Sequence, residues 1–109
     1  MKKQFVARQG DVLLFLVDAL PRGAKDVTPK GDVILAFGEV TGHAHRIKQT
    51  ETDRPSARIF DVGAERYLQI AERVALEHEE HSAVFLEKGV YRQAFQFQEQ
   101  RAEIQRVAD

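Results

Sequence analysis

Apolar residues in this chain come as short runs and alternations separated by turn residues. Val12–Val17 is six consecutive apolar positions, strand length and suited to a sheet covered on both faces. Pro21-Arg22-Gly23 stops it, a polar stretch follows, and Val33–Phe37 forms a second apolar run. Gly38 and Gly42 bracket Glu39-Val40-Thr41, which reads as a hairpin connection into an extended segment over 43–48. Residues 51–56 are the most hydrophilic stretch, a surface loop. The strand pattern resumes with Ile59, Phe60 and Val62 and ends at Gly63.

Residues 65–80 read two ways. Leu68, Ala71, Ala75 and His78 recur at helical spacing, whereas two strands over 67–71 and 74–78 fit almost as well. Beyond them come a strand over 83–86, a Lys88-Gly89 turn and an alternation over 90–98 that sets Tyr91, Phe95 and Phe97 with Gln93 on one face. Ile104 and Val107, three apart among helix formers, predict a short C-terminal helix over 101–107. Seven to nine short strands with frequent turns predict a mainly β fold, a small antiparallel β-barrel or sandwich with that helix closing one end. The alternative is α+β, with 65–80 helical.

Length and composition narrow the function classes. At 109 residues the chain, 1–109, is expected to form one domain. An apolar share of 43 % with 30 % charged residues is that of a globule, not a disordered segment. Without cysteine, thiolate-bound zinc, thiol catalysis and disulfides are excluded. Sixteen Lys and Arg against seventeen Asp and Glu leave no basic excess for nucleic acid. The longest apolar run is far below the roughly twenty residues of a membrane-spanning helix. Arg8, Gln9, Gly10 and Asp11 break up any leader-like stretch after the basic start, so a cytoplasmic location is expected.

The sharpest chemical feature is the placement of the four histidines in two tight pairs, His43-Ala44-His45 and His78-Glu79-Glu80-His81. Residues two apart on a strand face the same way, so His43 and His45 can aim two imidazoles at one point. His78 and His81 meet on a helix or across a bend. Together they predict a four-histidine site for a divalent transition metal: zinc, iron, nickel or manganese. Glu79 and Glu80 are the candidate catalytic carboxylates, serving as proton carriers. The plainer account is that histidines beside turns hydrogen-bond to backbone and bind nothing. His-Glu-Glu-His lacks the four-residue spacing of the zinc-protease helix motif, which disfavours a protease. Ser56 and Ser82 lack a glycine-flanked elbow, and Gly38–Gly42 is not followed by the helix of a phosphate-binding loop. Glu39 and Thr41 are placed to orient a neighbouring imidazole.

On Gln9-Gly10-Asp11-Val12-Leu13-Leu14, Leu20-Pro21-Arg22-Gly23-Ala24-Lys25, Gly38-Glu39-Val40-Thr41-Gly42-His43-Ala44-His45, the His-Glu-Glu-His block and Gly89-Val90-Tyr91-Arg92, the chain resembles a family of small bacterial and phage proteins of unassigned activity. Where that family has a more basic, tyrosine-bearing strand, this chain has the glutamine-rich 93–100. A weaker similarity is to cupins, β-barrels that hold a metal with His-x-His and a later histidine. Here Glu51 follows the second histidine later than that motif requires, and Phe37 stands where it has glycine. Two functions follow as expectations. One is a metal-binding β protein supporting hydrolysis or isomerisation of a small molecule. The other is a non-enzymatic phage or bacterial accessory module, homo-oligomeric through a histidine-lined contact that loosens as the imidazoles gain charge.

Overall fold

A computed structural model describes residues 4–38 and 40–95. Within them the chain forms ten strands and no helix: β1 (Gln4–Gln9), β2 (Val12–Val17), β3 (Lys25–Asp26), β4 (Val33–Phe37), β5 (Ala44–Ile47), β6 (Ala57–Val62), β7 (Glu65–Ile70), β8 (Val74–Glu77), β9 (Val84–Leu86) and β10 (Gly89–Phe95). They build two antiparallel sheets, a six-stranded one in the order β1-β2-β10-β7-β6-β3 and a four-stranded one in the order β4-β5-β8-β9.

The mainly β expectation is met, and 65–80 is two strands joined by a bend at Ala71-Glu72-Arg73. The helical spacing there is coincidental. Tyr67, Leu68 and Ile70 are buried in β7 and Leu76 in β8, whereas Ala71, which the helical stripe needs inside, is exposed. Among the described residues the strands do not close into a barrel; they form two separate sheets. The helix predicted over 101–107 and the strand continuation past Phe95 lie outside the described residues. No described helix is long and apolar enough to cross a membrane.

The core lies between the sheets. Leu14, Ile59, Leu68 and Ile70 from the larger sheet pack with Val33, Leu35, Ile47, Leu76 and Leu86 from the smaller. Two side-chain amides also bridge the layers. Gln9 on β1 donates to the Leu76 carbonyl of β8, and Gln93 on β10 donates to the Leu35 carbonyl of β4, each at 2.8 Å. Because both glutamines are buried, these bonds satisfy polar atoms that would otherwise destabilise the interior.

Two-residue turns set the strand registers. Gln9 pairs with Val12 across Gly10-Asp11, and Val62 pairs with Glu65 across Gly63-Ala64. Gly10 and Gly63 take φ of +59° and +58°, the left-handed conformation that such hairpins require and glycine adopts without strain. Among the described residues the sheets have β1 and β3, and β4 and β9, as their edges. Pairing is interrupted by irregularities between Phe5 and Ala7 in β1 and between Ile34 and Ala36 in β4.

Candidate metal centre

Three connections meet at the imidazoles: the β1–β2 turn, the β4–β5 connection and the β8–β9 loop. His43 ends the second of these, held by a bond from the Gly38 N–H to the His43 carbonyl at 2.8 Å and one from the His43 N–H to Val40 at 3.0 Å. His45 follows on β5 and is only 3 % exposed. His78 and His81 lie in the loop after β8, His78 half-buried and His81 exposed.

The two pairs, far apart in sequence, are neighbours in space. The ring centroids of His45, His78 and His81 form a triangle with sides of 4.4, 4.7 and 6.0 Å, and His43 joins it through His78 at 5.9 Å. For comparison, imidazoles bound to one zinc ion at 2.0–2.1 Å in tetrahedral array have centroids about 5 Å apart. The nitrogens themselves are not drawn to a single point, and among the described residues no three donors complete a ligand set. His78 Nδ1 accepts the Glu80 N–H at 3.0 Å, which puts the proton of a neutral His78 on Nε2. Binding through His78 Nε2 requires that bond to be released. Nε2 of His81 lies beside Gly10 and Nε2 of His78 beside Gly38, where a Cβ would come within 2.9 and 3.3 Å respectively. The close approach of these rings to the chain therefore depends on the two glycines. His43 Nδ1 is enclosed without a hydrogen-bond partner, 3.8 Å from Glu80 Oε2.

The two predicted carboxylates do different things. Glu79 Oε1 accepts the Ala44 N–H at 2.8 Å, and its other oxygen lies 3.6 Å from Arg46, so it ties the β8–β9 loop to the strand that carries His45. The Ala44 bond is the main reason its acid lies below the ordinary value of 4.5. Glu80 stays exposed beside His43. Burial, reinforced by the proximity of His78, holds His45 below the ordinary 6.5 and so favours its neutral form. Asp11 opposes that shift from 3.9 Å away. Of the two residues expected to orient an imidazole, Thr41 is exposed and Glu39 lies outside the described residues.

The β1–β2 turn contributes residues that the histidine spacing does not reveal. Gln9 Oε1 lies 2.8 Å from His45 Nδ1, Gly10 backs His81, and Asp11 faces His45 Nε2. The available signal was the Gly-Asp pair before an apolar run, which marks a two-residue hairpin turn.

Fold and cluster together define a small two-sheet β protein with its histidines gathered where three connections converge. The chain belongs to a family described as a domain of unknown function, DUF8820, whose model matches residues 8–96. No curated protein and no solved structure matches it.

Proposed function

We propose that the protein binds one divalent transition metal through His43, His45, His78 and His81. The observation that carries this reading is the triangle of three imidazoles from two distant segments, with sides of 4.4 to 6.0 Å. Imidazoles packed together without a cation gain little, because an enclosed lone pair needs a donor or an ion opposite it. His43 Nδ1 lacks such a partner. His45 is the fixed member of the set, and the more exposed His78 and His81 rings turn to complete it. When bound, an ion with one open position activates water for hydrolysis or polarises a carbonyl for isomerisation. Glu80 is then the proton carrier beside the centre, and Glu79 holds the loop in place.

Metal analysis of protein purified without a polyhistidine tag tests the reading. One zinc, iron, nickel or manganese per chain, removed by chelator and absent from His45→Ala and His78→Ala, is expected. A metal-free chain that shows no saturable binding of any of the four ions refutes it. The accessory-module reading gains support from Phe37, 78 % exposed beside the same connection. It requires a self-association that His43→Ala abolishes, seen by size measurement at pH 8 and pH 5.5.

A further inference from the structure

Both hydrogens of the Gln9 amide are committed. Nε2 donates to the Leu76 carbonyl at 2.8 Å and to the Ser82 carbonyl at 3.0 Å. Reversing the amide would set its oxygen against two carbonyl oxygens, so hydrogen bonding dictates its orientation. Oε1 can only accept, and it faces His45 Nδ1 at 2.8 Å. Nδ1 therefore carries the hydrogen, which leaves the lone pair of the neutral ring on Nε2. That nitrogen lies 3.9 Å from Asp11 Oδ1. Two acceptors then face each other across a gap too long for a hydrogen bond.

We propose that Gln9 is a positioning residue that holds His45 in the Nδ1–H tautomer and so presents its Nε2 lone pair to the centre. The proposal rests on the metal reading for its purpose, but the tautomer itself exists in the metal-free protein. Gln9 is suited to the task because it is anchored to the β8–β9 region at two points. The bond that orients His45 thereby also sets the distance from β1 to the loop bearing His78 and His81.

Nitrogen NMR of metal-free protein with isotope-labelled imidazoles reads the tautomer directly. The expected wild-type spectrum has His45 protonated on Nδ1 and unprotonated on Nε2. Gln9→Met removes the acceptor and is expected to lose that preference and weaken zinc binding by about 10–100-fold, the usual cost of losing a partner behind a ligand. Gln9→Glu keeps an acceptor opposite Nδ1 but sets its second oxygen against the Leu76 and Ser82 carbonyls, so it is expected to hold the hydrogen on Nδ1 while destabilising the fold. A wild-type His45 carrying its hydrogen on Nε2 overturns the proposal, whether or not either variant folds. So does a tautomer unchanged in Gln9→Met. The expected tautomer in a chain that binds no metal supports the role of Gln9 and refutes the metal reading alone.

Discussion

Replacing Gly10 by alanine separates the glycine's role in the turn from its role in the centre, with Gly63→Ala as the matched control. Both glycines sit in two-residue hairpins at nearly the same φ, +59° and +58°. Each substitution therefore incurs about 1–2 kcal/mol for placing an L side chain in the left-handed region. At Gly63 nothing lies within 4 Å of the added methyl. At Gly10 it meets His81 Nε2 at 2.9 Å and His45 Cε1 at 3.3 Å. His81 is the tip of an exposed side chain and swings away at little cost, whereas His45, held by Gln9, gives only slightly. Urea unfolding should thus show similar losses, with Gly10→Ala the less stable by no more than about 1 kcal/mol, or about 4–8 °C in Tm. Zinc titration should separate the two sharply. Gly63→Ala should bind like wild type, while Gly10→Ala, with His81 displaced, should lose at least the roughly 10–100-fold that follows loss of a ligand's supporting contact. Equal zinc affinities in the two variants would show that His81 takes no part in the centre.

Three further outcomes are expected. Because the fold holds His45 below its ordinary 6.5, the unfolded chain takes up a proton first as pH falls. Metal-free stability should then be greatest above about pH 6.5 and decline below it by up to about 1.4 kcal/mol per pH unit until the folded ring is itself protonated; urea curves at several pH values should flatten in His45→Gln, and an unchanged slope there would assign the effect to other groups. Glu79→Ala should weaken zinc binding by releasing Ala44, with Glu79→Gln milder because it keeps an acceptor; equal behaviour of the two in calorimetry would mean that the tie is idle. Leu68→Ala, at a fully buried site, should cost about 2–5 kcal/mol by circular-dichroism-monitored unfolding, whereas Phe37→Ser at an exposed one should stay within about 0.5 kcal/mol.

Strands that match the apolar runs were legible in the sequence because burial on one or both faces is written directly into residue order. Val12–Val17, Val33–Phe37 and the segment that ends at Gly63 are examples. β1 and β3 were not, since β1 alternates weakly and five of its six residues avoid full burial, and β3 is two charged residues at an edge. Spacing identified the four histidines but not their arrangement, which depends on how the sheets stack. Gln9 was the least legible, because its role comes from a buried amide that crosses between layers, and no local pattern distinguishes such a glutamine from a solvated one. Glu79 and Glu80 looked equivalent as neighbours in one motif; backbone direction alone sends one to the Ala44 N–H and leaves the other beside His43.

Among the described residues, two open sheets leave four edge rows of backbone groups, each of them a template for another copy's strand. All four rows are spoiled: β3 is two residues long, β9 three, and β1 and β4 lose their regular pairing midway. A deletion that straightened β1 around Val6 would lengthen its accessible ladder and is the change most apt to turn this protein toward fibrillar stacking.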